Sequence, residues 1–203
     1  MANGKVITGY SKPYVALYNA NEGSPTYTSG MPLARGVSAQ VESTTGDAVN
    51  FYADNVIAES AGGVFTGATL TLVVDGLKDD ARKLIMGLPA PTEETINGQT
   101  VDVYEYDDRQ VIPYVGVGFI IRWMEQGVTT YQPVVFTKGT FAVDGLSAQT
   151  QEENIQFQTS ELTCTIMRDD SEHHRWRRII ADQTSELEAE NILRGLLGIS
   201  TTI

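Results

Sequence analysis

The chain has 203 residues, of which 41% are hydrophobic and 20% are charged, and its formal net charge at pH 7 is −12. This composition excludes a disordered or fibrous chain. The acidic balance argues against ordinary nucleic-acid binding, because that affinity comes from Lys and Arg side chains that neutralise phosphates. Cys164 is the single cysteine, which excludes an intramolecular disulfide framework and predicts a small buried residue on a strand.

Neither secretion nor membrane insertion is expected. Residues 1–7 lack the apolar core of a signal peptide. The longest apolar stretch, 111–121, contains a proline and two glycines and is too short to span a bilayer. The chain is therefore expected to fold in a reducing cytoplasm.

The first half predicts strands, a long irregular segment and one helix. Residues 14–18 form a short apolar strand, and apolar and polar residues alternate over 37–42. The segment 43–67 has no clean period and is interpreted as a long mobile loop. A Thr/Leu strand follows at 69–75, and an apolar stripe over 77–88 predicts a helix that ends at Gly87 and Pro89.

The second half predicts more strands and two helices. Strands are expected at 101–106, 115–123, 128–136, 155–157 and 162–166, with Gln126-Gly127 as a hairpin turn. A helix is predicted over about 170–182. Ser185-x-x-Glu188 matches a capping box and predicts a short second helix. The organisation expected is a single β domain over 1–184 and a helical extension over 185–203.

The two halves resemble each other, which suggests an internal pseudo-repeat. Each has strands, an acidic loop, an alternating strand and a predicted helix, beginning near Arg35 and again near Lys138. The first copy is longer, and its surplus lies in 43–67. The alternative is a chance similarity, because strand–turn–helix patterns recur in unrelated chains.

Clusters that imitate functional sites have simpler explanations. His173 and His174 are adjacent and flanked by arginines, which disfavours a metal site. The arginines of 168–178 and Trp176 could contact DNA. The acidic residues beside them instead favour a carboxylate of a neighbouring subunit as the partner of these arginines. The acidic pairs, such as Glu93-Glu94, lack the separation that acid–base catalysis needs. The glycines at 116 and 118 lie inside a β run and do not form a phosphate loop.

Four segments carry a resemblance to a known family. They are Gly9-Tyr-Ser-Lys-Pro-Tyr-Val-Ala-Leu-Tyr18, Phe51-Tyr-Ala-Asp-Asn55, Gly67-Ala-Thr-Leu-Thr-Leu-Val-Val-Asp-Gly-Leu77 and Gln149-Thr-Gln-Glu-Glu-Asn-Ile-Gln-Phe-Gln-Thr-Ser-Glu-Leu162. In this order they resemble major tail proteins of long-tailed bacteriophages that infect Gram-positive hosts. The resemblance runs from about residue 5 to residue 182.

The resemblance implies a mainly β fold, a two-sheet β-sandwich or barrel of the phage tail-tube type with a flanking α-helix. It implies a structural virion protein of the tail, assembled in the host cytoplasm, whose hexameric rings stack into a tube that conducts DNA during ejection. The expected partners are other copies of the chain and the tape measure, tail tip and tail terminator proteins. DNA would pass without specific binding. The family has no catalytic residues, needs no cofactor and does not act at a membrane.

Three sets of contact residues are expected within this family interpretation. A long loop of the first half reaches the next ring, and its contacts are assigned to Phe51, Tyr52, Asp54, Asn55 and Val56. Alternatively, Phe51 and Tyr52 fill the core of their own subunit. Acidic candidates for the channel wall are Glu42, Asp47, Asp144, Glu152 and Glu153, with a merely solvated outer face as the alternative. Contacts to a neighbouring subunit are assigned to Ile192, Leu193, Leu196 and Leu197. The alternatives for 185–203 are packing on its own subunit and decoration of the tube exterior.

Three other functions compete with the tail tube. A tail terminator or adaptor protein would form a single ring. A carbohydrate-binding β-sandwich module would expose an aromatic platform and carry a signal peptide. A hydrolase would need a nucleophile and a base, and no such pair stands out in the sequence.

Overall fold

The structure, a computed structural model, describes residues 4–21, 23–143, 145, 150 and 157–200. Within these residues the chain is mainly β, as predicted, with twelve strands and two helices. The strands are β1 (Val6–Asn19), β2 (Thr26–Pro32), β3 (Gly36–Thr45), β4 (Val49–Ala53), β5 (Val56–Ala61), β6 (Phe65–Val74), β7 (Thr92–Ile96), β8 (Gln99–Val103), β9 (Val115–Glu125), β10 (Val128–Phe141), β11 (Ser160–Met167) and β12 (Arg177–Ile179). The helices are α1 (Asp79–Met86) and α2 (Glu186–Leu196).

An antiparallel sheet of eight strands forms the body of the described residues. The strand order is β2-β1-β9-β10-β11-β6-β3, and β12 pairs with β10 beside this path. The hairpin turn predicted at Gln126-Gly127 joins β9 to β10, and both residues have positive φ, 50° and 80°. Two separate two-stranded sheets, β4-β5 and β7-β8, complete the β structure.

The large sheet curves until its two ends face each other across one core, an arrangement consistent with a β-sandwich. β3 comes close to β1, and a Cβ atom on Gly36 would lie 2.0 Å from the Tyr10 ring. Tyr10 in turn packs edge-on against Phe119, with ring centroids 5.0 Å apart. Cys164 is fully buried in this core, as predicted, and burial raises the pKa of its thiol to about 12.

Helix α1 confirms the apolar stripe predicted over 77–88. Its inward face buries Ala81, Ile85 and Met86, and Gly87 ends it in a left-handed conformation with φ of 61°. A side chain at Gly87 would be excluded as well, because a Cβ atom there would lie 1.8 Å from the carbonyl oxygen of Val111. Neither described helix is long and apolar enough to cross a membrane.

The helix predicted over 170–182 is wrong. The described backbone turns at Ser171, follows the edge of β10 and forms β12. The Thr137 amide donates to the carbonyl of Trp176, and the Ile180 amide donates to that of Pro133. The open edge of β10 therefore satisfies backbone groups that a helix would have paired internally.

The mobile loop predicted over 43–67 is also wrong. β3 continues to Thr45, β6 begins at Phe65, and β4 and β5 form a hairpin between them. Val, Ile, Phe and Tyr favour strands. All residues of β4 and β5 are exposed, so neither face of the hairpin is buried in the single chain. Its sequence therefore has no alternation of apolar and polar residues.

Helix α2 packs on the outer face of its own sheet. Leu193 and Leu197 are fully buried there with Ile120 and Val135, and Leu196 packs at the margin of the same cluster. The assignment of Leu193 and Leu197 to a neighbouring subunit is therefore wrong, because this chain already covers them, whereas Leu196 is only partly buried. Ile192, assigned with them, is half-buried. The helix follows Ser185, as expected, although the Ser185 side chain makes no capping hydrogen bond.

The two alternating Thr/Leu segments behind the pseudo-repeat become β6 and β11. They are antiparallel neighbours, with Leu72 opposite Leu162 and Leu70 opposite Cys164. β6 follows β3 after the β4-β5 hairpin, and β11 follows β10 after residues 142–159, so each comes after a strand and a long insertion. The element after β6 is helix α1, whereas the element after β11 is strand β12, so the similarity is limited to the strands.

Candidate assembly surfaces

The β4-β5 hairpin and its base, residues 46–64, project from the body and are called the first arm. β4 and β5 pair with each other and with no other described strand. Phe51, Tyr52 and Val56 are 63%, 61% and 62% exposed. The alternative that Phe51 and Tyr52 fill the core of their own subunit is therefore wrong, and the arm presents apolar side chains to solvent.

The tip of the first arm is a tight turn at Asp54 and Asn55. Both residues have positive φ, 50° and 64°, as a two-residue hairpin turn requires. Asn and Asp adopt this conformation more readily than other residues with a side chain. These two residues thus shape the turn that holds Phe51, Tyr52 and Val56 in place.

The base of the first arm is a close crossing of two glycines. The Gly46 amide donates to the Val64 carbonyl at 2.9 Å. A Cβ atom on Gly63 would lie 1.8 Å from the Gly46 carbonyl oxygen, whereas one on Gly62 would meet nothing within 4 Å. Gly63 therefore permits contact between two chain segments, and Gly62 carries no such constraint.

Replacement of Gly63 by alanine is expected to loosen the first arm, because the added methyl group must displace the Gly46 backbone. Exchange of the Gly46 amide hydrogen should become faster by about tenfold or more, the effect of losing roughly 1.4 kcal/mol of local stability. Hydrogen exchange followed by NMR measures this directly. Gly62→Ala is the matched control. If the Gly46 amide hydrogen exchanges at the same rate in both variants, the close contact between Gly63 and Gly46 is contradicted.

The outward face of β3, β6, β11 and β10 is a polar wall. Glu42 lies opposite Thr69, Thr69 opposite Thr165, and Thr165 opposite Thr140. Their alternate neighbours point into the core, which leaves this face with threonines and few charges. Glu161 lies on the same face of β11 and was missed, although the alternation of β11 indicates its exposure.

The other acidic candidates for a channel wall are dispersed. Asp47 is exposed in the connection from β3 to β4, at the base of the first arm and beyond the last residue of β3. Asp144, Glu152 and Glu153 lie outside the described residues. Of the two acidic candidates among the described residues, the structure thus places Glu42 on the polar wall.

A second projecting hairpin, β7-β8 (residues 92–103), is called the second arm. It turns at Asn97-Gly98, whose φ values are 52° and 82°, and all its strand residues except Val103 are exposed. The sequence analysis considered Glu93-Glu94 only as an acidic pair. The Asn-Gly dipeptide is a strong hairpin signal and could have predicted this arm.

The arginines of 168–178 are held in different ways. Arg168 donates to the Phe65 carbonyl at 2.7 Å, and Arg175 lies 3.7 Å from Asp169. The guanidinium of Arg177 lies 4.5 Å from the centre of the Trp176 ring. Arg178 is exposed on β12. Across the described ranges, no three His, Cys, Asp or Glu residues cluster closely enough to hold a metal ion.

Asp170 joins this segment to the sheet. Its carboxylate accepts hydrogen bonds of 2.7 Å from both Lys138 of β10 and Tyr18 of β1. The Lys138 and Tyr18 hydrogen bonds lower the pKa of Asp170. Burial, aided by the Asp170 carboxylate, raises the pKa of Tyr18 to about 12.

Asp170→Asn is expected to reduce stability at neutral pH and to make little difference in acid. A carboxylate whose folded pKa lies below its ordinary value of about 4 stabilises the fold above that pH and loses the effect as pH falls through the folded pKa. The difference in free energy of unfolding between wild type and variant should therefore shrink below about pH 4. Urea unfolding across this range tests it, with the exposed Asp108→Asn as the control. A difference in free energy of unfolding that stays constant with pH would contradict the stabilising role of the Asp170 carboxylate.

A cavity of about 480 Å³ lies beside α1, lined in part by Lys12, Arg35 and Lys78. Two of these cations are already paired, since Arg35 contacts Asp75 and Lys12 lies 3.1 Å from Glu190. No lining residue combines a nucleophile with an adjacent base, so the described cavity offers no recognisable catalytic arrangement.

The described surface thus has two projecting arms and a threonine-rich wall. No protein-family model and no curated protein matches this chain.

Proposed function

We propose that this chain is a structural virion protein that assembles as stacked hexameric rings into a phage tail tube, a channel for DNA ejection. The observation that carries the proposal is the first arm, with Phe51, Tyr52 and Val56 exposed on a hairpin that projects from the body. The resemblance of the four sequence segments to major tail proteins supports the same function.

The first arm needs a partner for physical reasons. An isolated two-stranded hairpin is marginally stable in water, and aromatic residues are enriched in the cores of protein interfaces. A second copy whose body receives the arm would bury these side chains. An arm-to-body contact is heterologous, so its repetition generates a ring or an open filament. A stack of rings is a filament of this kind.

The edges of the main sheet support ring formation. β2 and β3 end the strand order of the described sheet, and the outer edge of each lacks a hydrogen-bonded partner strand. Free edges tend to pair with other chains. Pairing between copies around a ring would satisfy them and join the sheets into a continuous wall.

The polar wall suits a channel for DNA. Threonine hydroxyls carry no formal charge, and Glu42 and Glu161 would repeat around each ring. Negative potential at the wall repels phosphates and keeps DNA from adhering. The net charge of −12 is in keeping with this role.

Negative-stain electron microscopy of the purified protein at increasing concentration tests the proposal. Long hollow tubes of constant width are expected. Isolated rings would favour a tail terminator or adaptor protein. If only monomers form, even when tail-tip proteins are added as initiators, the tail-tube function is wrong.

A further inference from the structure

We propose that the second arm of one copy docks on strand β12 of a second copy, where Glu93 and Asp102 pair with Arg177 and Arg178. This inference rests on the proposed self-assembly. It adds an electrostatic contact between copies, which is separate from the apolar contact made by the first arm. Both surfaces are present on every copy, so the contact is heterologous and repeats from one copy to the next.

The second arm carries an unfavourable arrangement of charge in the single chain. Glu93 lies directly opposite Asp102 in the antiparallel pairing. Like charges at this position destabilise a hairpin. Glu93, Glu94 and Asp102 are exposed, and none has a cation within ion-pairing distance in the described structure. Cations from outside the chain would relieve this repulsion.

The opposite face of the second arm carries apolar side chains and one further carboxylate, Glu94, which lies opposite Val101. Residues alternate between the two faces of a strand, so Ile96 and Val101 lie on the face away from Glu93 and Asp102. Ile96 is 50% and Val101 is 39% exposed. The arm therefore offers carboxylates on both faces and apolar contact on one of them, which suits a protein surface that combines cations with apolar side chains.

Strand β12 has the matching character. Arg177 and Arg178 are exposed, and neither has a carboxylate within 4 Å among the described residues. β12 pairs with β10 along one edge, and no described strand pairs with its other edge. Arg177 and Ile179 lie on one face of β12 and Arg178 lies on the other, so the two arginines flank the unpaired edge of the strand. Ile179, 54% exposed, adds apolar surface beside Arg177.

Charge complementarity indicates that the partner of β12 is a second copy of this chain. Copies with a net charge of −12 repel one another, so association favours contacts that bring unlike charges together. Arg177 and Arg178 are exposed on either side of the free edge of β12, and neither has a carboxylate partner among the described residues. The second arm supplies two carboxylates that lie directly opposite each other. The second arm and β12 share no substantial contact within one chain.

Two charge-reversal variants test the contact. One carries Glu93→Lys and Asp102→Lys, and the other carries Arg177→Glu and Arg178→Glu. All four positions are exposed, so both variants should fold, as circular dichroism and thermal melting would verify. Each variant alone should need an at least about tenfold higher concentration for half-assembly in a sedimentation assay, because like charges then face each other.

An equimolar mixture of the two variants should assemble within about twofold of the wild-type concentration, since unlike charges face each other at every contact between different variants. The control mixture pairs the arginine variant with Glu125→Lys, Glu188→Lys, which changes two exposed carboxylates away from the second arm. This mixture has the same mean net charge, but the Glu125/Glu188 variant keeps both docking surfaces and should assemble by itself. The readout is therefore the arginine variant, which should sediment far less here than in the mixture with the arm variant.

The outcomes separate the contact from the proposed function. If the wild type assembles but the arginine variant sediments no better with the arm variant than with the Glu125/Glu188 variant, the contact is wrong and the proposed function stands. If the arginine variant alone is impaired and the arm variant is not, β12 binds something other than the second arm, and the contact is again wrong. If the wild type does not assemble at all, the proposed function and the contact fail together.

Discussion

Replacing Phe51 and Tyr52 by serine is expected to abolish tube formation while leaving the fold of the monomer intact. Buried aromatic anchors at interfaces contribute about 2 kcal/mol or more each, so the double variant should need a roughly thousandfold higher concentration to assemble. Both side chains are more than 60% exposed in the single chain. Its free energy of unfolding should therefore change by no more than about 0.5 kcal/mol.

Sedimentation of assembled protein and urea unfolding of the monomer measure the two effects separately. Val111→Ser is the control, because Val111 is 74% exposed and lies outside both arms. It should leave both assembly and stability unchanged. If the Phe51/Tyr52 variant assembles like the wild type, the first arm is not an assembly contact and the main support for the tail-tube function is lost.

Leu193→Ala is expected to destabilise the monomer by about 2–5 kcal/mol, the usual cost of removing a fully buried leucine side chain. Leu193 lies between α2 and the sheet, where a Cβ atom on Gly118 would come within 2.5 Å of its Cδ1. The sheet has little freedom to close the resulting cavity, because β9 is held between β1 and β10. Leu197→Ala should have an effect of similar size, since that side chain is also fully buried.

Urea unfolding followed by the fluorescence of the two tryptophans, Trp123 and Trp176, measures this loss. Leu187→Ala on the same helix is the matched control, because Leu187 is 66% exposed. It should change the free energy of unfolding by less than about 0.5 kcal/mol. A Leu193→Ala variant of wild-type stability that fails to assemble would show that α2 packs on a neighbouring copy after all.

Local sequence predicted the elements whose side chains alternate between core and solvent. β6 and β11 repeat with a period of two because Leu70 and Leu162 face the core while Thr69 and Thr163 do not. Helix α1 and the Gln126-Gly127 turn could be predicted from sequence in the same way, because helix periodicity and turn chemistry are local properties. Burial of Cys164 followed from the same alternation.

The first arm and the segment after β11 required the tertiary structure. The first arm has no buried face in one chain, so its sequence carries no period that would indicate a strand pair. The segment 170–182 forms β12 because β10 has an unpaired edge beside it, and no local pattern shows that edge. Propensity is a weak prior that such tertiary contacts override.

The amino-acid sequence alone thus determined the mainly β class, helix α1 and the existence of an apolar face on α2. It did not determine what that face covers, because an amphipathic stripe indicates burial without naming the partner. Only the tertiary structure showed that Gly118 leaves room for Leu193 on the sheet of the same chain. It likewise decided that Glu42 lies on the polar wall, because Glu42 reaches that wall through long-range pairing of β3 with β6.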